Sequence, residues 1–140
     1  MQIPHVVIDT NVVISTMRSR LGASFKLLSL IDSQKFEFSV SVALVLEYES
    51  ALMRSVPFIP RADVEILLDY ICEIANHQKT FYLWRPVLRD PNDDLVVEVA
   101  IAGNCDTIVT FNRRDFDGTQ RFGIRIMTPR EFLDQIGEIQ

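Results

Sequence analysis

The feature that most constrains the fold of this 140-residue chain is the alternation of short apolar runs with longer amphipathic segments. The short runs, at 3–8, 36–41, 106–111 and 123–127, are rich in β-branched and aromatic residues and predict strands. Chains in which such strands alternate with helices form parallel sheets that are covered on both faces. We therefore predict a three-layer α/β fold.

Apolar residues at helical spacing predict the helices. These cover 23–34, 42–54, 60–77, 93–102 and 129–136. Ser41 and Thr128 are expected to cap the second and the last of them, and Glu131 completes a capping box with Thr128. Either Asp93 or Asp94 is expected to open the fourth helix. Residues 79–84 are predicted as a poor strand or an extended connection.

Composition limits the class of protein. We expect one domain over 1–140, because no repeat or Gly/Ser linker divides the chain. The net charge of −5 argues against nucleic-acid binding through bulk positive charge, although Arg113 and Arg114 form a local basic patch. No apolar stretch approaches the roughly 20 residues of a membrane span, which favours a cytoplasmic protein without membrane contact. Cys72 and Cys105 lack CxxC spacing and are expected to be reduced core residues.

Polar side chains follow two of the predicted strands at the point where each strand ends. Asp9 follows the first strand directly, and Asn112 and Asp115 follow the strand at 106–111. The carboxyl ends of parallel strands meet at one rim of the sheet, where ligands gather, so these side chains are expected to face one another. A helix cap is the simpler structural explanation of Asp9 alone. Asp106 starts its strand on the opposite rim and is explained by a turn.

Two further pairs of acids allow both structural and functional interpretations. Asp93 and Asp94 open a predicted helix whose N-terminus should emerge near Asp9, although an N-cap and a first-turn charge also explain them. Glu47 lies at the margin of the apolar face of helix 42–54, whereas Glu49 falls within that face. Periodicity alone does not choose between the two glutamates.

Carboxylates that converge at one rim repel one another unless a cation neutralises them. Hard oxygen ligands without His or Cys select Mg²⁺ or Mn²⁺. Such an ion activates water and neutralises the charge of a phosphodiester during its displacement. Phosphate chemistry is therefore the leading interpretation of these residues.

Four motifs in the chain together resemble those of the PIN-domain family. They are DTNVVIS at 9–15, EYESALMR at 47–54, DPNDD at 90–94 and VTFNRRDF at 109–116. Each motif alone is common, whereas four in order at proper spacing are specific. The likeness is strongest to the bacterial and archaeal branch of toxin components of toxin–antitoxin pairs, the VapC-type ribonucleases. It extends to IMTPREFL at 126–133, which resembles the family's last strand and closing helix.

The resemblance implies a Rossmann-like PIN fold with a parallel sheet of four to five strands. It also implies an endoribonuclease that uses one or two Mg²⁺ or Mn²⁺ ions. The positions that match the family's metal-binding, catalytic acids are Asp9, Glu47, Asp93 and Asp115. This match favours Glu47 over Glu49, while Asp94 remains an alternative metal ligand to Asp93 because either can be aligned.

The resemblance implies supporting residues and partners as well. Asn11 and Thr110 match polar positions beside the acids, and Asn112 stands where many relatives carry Asp. Arg113 and Arg114 are expected to contribute weakly to substrate binding. The expected partners are an RNA substrate, a cognate antitoxin that covers the cleft with a basic side chain, and a second copy of the chain in a homodimer.

Several alternatives remain open at the level of sequence. Because Asn112 removes one acid, a PIN-fold protein that binds RNA without cleaving it is one alternative, and a nuclease of RNA processing without an antitoxin is another. A phosphohydrolase with an aspartyl nucleophile is disfavoured, since Asn11 stands where the second acid of Asp-x-Asp-x-Thr belongs. A signalling receiver is disfavoured because no Lys follows the late strand.

Overall fold

The computed structural model describes residues 3–19, 21–79 and 91–138. Within them lie five strands: β1 (His5–Ile8), β2 (Glu37–Val40), β3 (Asn76–His77), β4 (Thr107–Val109) and β5 (Arg125–Met127). The helices are α1 (Thr10–Arg18), α2 (Ala23–Ser29), α3 (Val42–Ser55), α4 (Arg61–Ile74), α5 (Pro91–Ala102) and α6 (Pro129–Gln135). Two short 3₁₀ helices follow β4, at Arg113–Phe116 and Thr119–Phe122. The predicted α/β fold is confirmed.

The sheet is parallel throughout and has the strand order β3-β2-β1-β4-β5. The chain moves outward from β1 to β2 and β3 and then crosses back to β4 on the other side of β1. Since crossovers of this kind are right-handed, the reversal distributes the helices over both faces and gives the three layers. The gap between the carboxyl ends of β1 and β4 is thus the topological switch point, where ligands bind in open α/β sheets.

The core is built around the central strands because they are apolar on both faces. Val6, Val7 and Ile108 are fully buried, and each such side chain contributes about 1.5–3 kcal/mol relative to its exposed state. At the edge of this core Phe36 and Phe132 meet edge to face, with ring centroids 5.2 Å apart. This contact fastens α6 to the chain that leads into β2.

The cap predictions are confirmed. The Ser41 hydroxyl accepts from the Leu44 amide at 3.1 Å, and Thr128 forms a reciprocal capping box with Glu131. The expected end of α5 at Gly103 is also observed. A Cβ at this glycine would lie 2.9 Å from the Ser39 hydroxyl oxygen, so close packing against β2 accounts for the glycine.

Helix α1 was not predicted. It begins at Thr10, directly after β1, although its first turns are rich in β-branched residues, which favour strands. Asp9 explains the change of structure, because its extended backbone ends β1 and its carboxylate accepts from the Thr10 amide. Helix α2 is shorter than predicted and ends at Ser29.

Two other boundaries differ from the prediction. Helix α4 ends at Ile74 rather than near residue 77, and Asn76–His77 form β3 instead. The His77 ring nitrogen Nε2 lies 2.6 Å from the Cys72 carbonyl oxygen, so this side chain hydrogen-bonds to the last turn of α4. Helix α5 begins at Pro91, so neither Asp93 nor Asp94 opens it. The predicted strand or connection at 79–84 lies outside the described residues, apart from its first residue.

Both cysteines are free thiols, as predicted, although only Cys105 is buried and Cys72 is partly exposed. Burial raises the pKa of the Cys105 thiol to about 11. Among the described residues, no helix is both long and apolar enough to cross a membrane.

Candidate active site

A cleft of about 270 Å³ opens at the switch point between β1 and β4. Its lining combines acids, amides and small residues from β1, α1, α3, α5 and the segment after β4. The lining residues are Asp9, Thr10, Asn11, Ile14, Glu47, Ala51, Arg54, Ser55, Asp93, Asn112 and Asp115. The cleft therefore brings together the four acids that were predicted to share a site.

Asp9 lies at the floor of this cleft and is only 5% exposed. Its amide donates to the Val109 carbonyl at 2.9 Å, which extends the β1–β4 pairing by one residue. One carboxylate oxygen, Oδ1, accepts from the Thr10 amide at 2.8 Å, and the other, Oδ2, accepts from the Thr110 hydroxyl at 2.7 Å. These two hydrogen bonds hold the Asp9 carboxylate in a fixed orientation.

Thr110 connects the polar residues at the end of β4. Besides donating to Asp9, its fully buried hydroxyl accepts from the Asn112 amide at 3.0 Å and from the Asn11 side chain at 3.5 Å. Asn11 in turn accepts from the Phe111 amide at 3.4 Å. These contacts fix the direction of the Asp9 carboxylate, as expected for groups that orient a metal ligand.

Glu47 reaches the cleft from α3, and the neighbouring Tyr48 sets the position of that helix. The buried Tyr48 hydroxyl donates to the Ile8 carbonyl, one residue before Asp9. Burial, and to a lesser degree the Asp9 and Cys72 charges, raise the pKa of Tyr48 well above its ordinary value, so the phenol remains a donor. The Glu47 side chain is 15% exposed and lines the cleft.

The first turn of α5 supplies two acids that differ in position. Asp93 is half-buried and lines the cleft, whereas Asp94 is 6% exposed and does not belong to the lining. Because consecutive residues on a helix are rotated by about 100°, only one of the two can face the other acids. Of the two acids, Asp93 is therefore the one whose side chain borders the cleft.

The segment after β4 supplies Asp115 from a 3₁₀ helix and Asn112 just before it. Both side chains are exposed at the mouth of the cleft. Arg113 and Arg114 do not line it. Arg113 instead forms an ion pair with Glu131 of α6, and this pairing is the main cause that lowers the pKa of Glu131 below its ordinary value.

Five residues of the cleft lining were not predicted from the sequence as site residues: Thr10, Ile14, Ala51, Arg54 and Ser55. Arg54 lines the wall beside Glu47, with 3.6 Å between Nη2 and Oε1, and Ser55 follows it. The spacing of Arg54 from Glu47 could have indicated its place in the cleft. Arg54 stands seven residues after Glu47 and therefore lies two turns along the same face of α3.

The donor set of the cleft fits Mg²⁺ or Mn²⁺, because it offers carboxylate and amide oxygens and no imidazole or thiolate. In the described part of the chain, however, no three His, Cys, Asp or Glu side chains converge closely enough to hold one ion together. Mg²⁺ commonly retains several waters and binds through only one or two carboxylates. The cleft matches that sparse mode of coordination better than it matches a closed protein cage.

The strand order β3-β2-β1-β4-β5 is that of an α/β domain with a parallel sheet. Its candidate active site is the acidic cleft at one rim of the sheet, at the switch point between β1 and β4. The chain belongs to the PIN domain family, whose family model matches residues 5–114. The resemblance drawn from the four motifs is thereby confirmed. No curated protein matches the sequence significantly.

Solved structures include a similar chain in the crystal structure of VapBC2 from Rickettsia felis bound to a DNA fragment from their promoter. The TM-score is 0.58 at 15% sequence identity, and the match covers 89% of this chain and 98% of that one. At 15% identity the similarity shows a shared fold alone.

Proposed function

We propose that this PIN domain is a metal-dependent endoribonuclease that hydrolyses RNA phosphodiester bonds and acts as the toxin of a toxin–antitoxin pair. The observation that carries the proposal is the meeting of Asp9, Glu47, Asp93 and Asp115 in one cleft at the switch point. The four acids come from four separate parts of the chain, and a bound cation would offset their mutual repulsion.

In this proposal Asp9, Glu47 and Asp93 surround one or two divalent ions, each bound directly by one or two of these acids and otherwise by water, with Asp115 acting from the mouth of the cleft. When bound, Mg²⁺ or Mn²⁺ lowers the pKa of a water and neutralises charge on the scissile phosphate. Asp9 supplies a fixed ligand because Thr110 and the Thr10 amide hold both of its oxygens. The exposed Asn112 amide replaces an acid with a neutral donor and can hydrogen-bond the phosphate without adding repulsion.

A cleavage assay tests the proposal directly. Purified protein is incubated with end-labelled single-stranded and hairpin RNAs in Mg²⁺, in Mn²⁺ and in EDTA. We expect cuts in either metal that disappear in EDTA, with 5′-phosphate and 3′-hydroxyl ends. Intact RNA in all three conditions, with metal binding confirmed by calorimetry, would contradict the nuclease assignment.

The absence of three convergent acids among the described residues favours a second candidate, a PIN-fold protein that binds RNA without cutting it. The same assay separates the two functions. Retarded migration of RNA in a native gel, together with intact RNA in the denaturing gel, would support the binding function alone.

We infer that the protein partner is an antitoxin, in keeping with the similar fold in the VapBC2 structure. The prediction places this antitoxin over the acidic cleft, and an apolar groove between α1, α2 and α4 is a second surface that such a partner could cover. Phe58 and Ile66 border it and are 78% and 66% exposed. Exposed apolar surface of this kind marks protein interaction sites.

The neighbouring open reading frame tests this partner. A small adjoining gene whose product co-purifies with the chain would support the toxin role, whereas a solitary gene would favour RNA processing. A homodimer and a cytoplasmic location remain predictions; light scattering of the purified protein tests the first of them.

A further inference from the structure

We propose that Arg54 binds the RNA phosphate backbone in the cleft and that its pairing with Glu47 competes with divalent-ion binding. The proposal rests on the proposed function and names an electrostatic exchange within the same site. Arg54 would alternate between the Glu47 carboxylate and a substrate phosphate, according to whether an ion neutralises Glu47.

The charge of the cleft is the first observation. Among the described residues that line it, Arg54 is the one cation, facing four carboxylates. An RNA backbone that approaches four negative charges is repelled unless positive charge lies within reach. The bound ions and Arg54 are the two sources of such charge, and Arg54 is the one built into the chain.

The contacts of Arg54 are the second observation. Nη1 donates to the Ser50 hydroxyl at 2.7 Å, and Nη2 lies 3.6 Å from the nearer Glu47 oxygen. The latter distance is an ion pair beyond hydrogen-bond length. A guanidinium has five N–H donors, and the Arg54 side chain is 62% exposed, so donors remain for a bidentate phosphate contact.

The support beneath Arg54 is the third observation. Arg18 of α1 donates to the Ser55 carbonyl at 3.1 Å, at the C-terminal end of α3. The buried Tyr48 fixes the same helix to the end of β1. Both contacts hold the wall that carries Glu47 and Arg54 at a constant distance from Asp9, so only the two side chains need to move.

The exchange follows from these contacts. Without an ion, the Arg54 guanidinium partly neutralises Glu47. An ion that binds Glu47 must displace this cation or accept repulsion from it, which weakens ion binding. Once displaced, the guanidinium is available to the phosphate that the site is to act on. Metal binding and RNA binding are then coupled through one side chain.

The test uses the Arg54→Ala, Arg54→Lys and Arg61→Ala variants of the whole chain. Arg61 is the matched control, because it forms an exposed ion pair with Glu65 on α4 outside the cleft. Affinity for a fluorescent single-stranded RNA is measured in Ca²⁺ over a series of salt concentrations, with a denaturing gel to verify that the RNA stays intact. Mn²⁺ affinity is measured by calorimetry without RNA.

For Arg54→Ala we expect RNA binding about tenfold weaker, with the slope of log K against log salt reduced by about 0.7, the value for one lost contact to a single strand. Mn²⁺ should bind this variant about threefold more tightly, because the competing cation is gone. Arg54→Lys should retain the wild-type Mn²⁺ affinity and lose part of the RNA affinity, since Lys lacks the bidentate fork. Arg61→Ala should match the wild type in both measurements.

Unchanged RNA affinity and salt slope in Arg54→Ala would overturn the phosphate contact. Weaker Mn²⁺ binding in that variant would overturn the competition and show that Arg54 only positions Glu47. The calorimetric arm needs no RNA, so it remains decisive if the wild type binds none. In that event the proposed nuclease function fails separately from the Arg54–Glu47 exchange.

Discussion

The two rims of the sheet carry nearly the same pair of side chains. At the carboxyl rim the Thr110 hydroxyl donates to Asp9 at 2.7 Å, and at the amino rim the Thr107 hydroxyl donates to Asp106 at the same distance. Both pairs join β1 to β4, since Asp9 bonds Val109 through its amide and Asp106 accepts from the His5 amide at 3.0 Å.

The two pairs differ in the residues that surround them. Around Asp9 the chain assembles three more acids and two amides, whereas Asp106 shares its cavity with His5, Asn104, Ile3 and Gly103. The cavity at Asp106 is larger, about 470 Å³ against about 270 Å³. Neither cavity size nor a hydrogen-bonded carboxylate therefore distinguishes the proposed site from the other rim, whereas the number of acids does.

The largest expected effect is the difference in RNA cleavage between variants of Asp9 and of Asp106. Asp9→Asn should lower metal-dependent RNA cleavage on the order of 10³-fold, because the ion loses its fixed ligand. Asp106→Asn should leave cleavage unchanged within about twofold and reduce the free energy of unfolding by roughly 1 kcal/mol through a weakened hydrogen bond. Cleavage gels and urea unfolding measure the two effects. Equal cleavage by both variants would remove the distinction between the rims.

A second prediction distinguishes Asp93 from Asp94 in the first turn of α5. Asp93→Asn should lower cleavage about 100-fold, since Asp93 lines the cleft. Asp94→Asn should act mainly on stability, because this side chain is buried away from the lining. Comparing Mn²⁺ affinity of the two variants by calorimetry decides the matter, and a larger loss for Asp94→Asn would reverse the assignment.

The two threonines give a smaller and more selective contrast. Thr110→Val keeps the side-chain volume but leaves Asp9 without its hydroxyl donor, so Mn²⁺ should bind about tenfold more weakly. Thr107→Val removes the corresponding donor from Asp106 and should leave Mn²⁺ affinity unchanged. If both variants bind Mn²⁺ as the wild type does, the Thr110 contact is structural only.

The smallest expected effect concerns Arg113, which lies next to the cleft yet pairs with Glu131. The pKa of Glu131 is lowered in the fold, so the pair stabilises the protein fully above the ordinary glutamate value of 4.5 and loses this contribution as the pH falls through the lowered pKa. Arg113→Ala should therefore cost about 0.5 kcal/mol or less at pH 7, given the exposure of both side chains.

Thermal unfolding at pH 7 and near pH 3 measures this difference, with Arg114→Ala as the control. The destabilisation should be smaller at the lower pH, because Glu131 is protonated to a greater extent there. An equal loss there would show that Arg113 stabilises the fold by packing rather than by charge.

Part of the site was predictable because strand ends are visible in a sequence. Asp9 and Asp115 follow apolar runs, and parallel topology places both at one rim. Periodicity could not separate Glu47 from Glu49, because the position of α3 depends on the Tyr48 contact with β1. The family resemblance supplied that choice.

Strand β3 and helix α1 were not predicted, for two different reasons. Strand β3 has only two polar residues, and its pairing with Ser39 and Val40 alone defines it. Helix α1 has β-branched residues in its first turns and forms because Asp9 ends the strand before it. Pairing with a distant strand overrides local preference at β3, and a cap from the neighbouring residue does so at α1.

The Asp9–Thr110 hydrogen bond joins residues that are 101 positions apart. A growing chain therefore carries the first acid of the cleft long before it carries the residue that orients it. Since β1 also pairs with β4, the central strand remains open on one side until that late segment arrives. The proposed cutting site is thus incomplete until the segment that carries Thr110 has been synthesised.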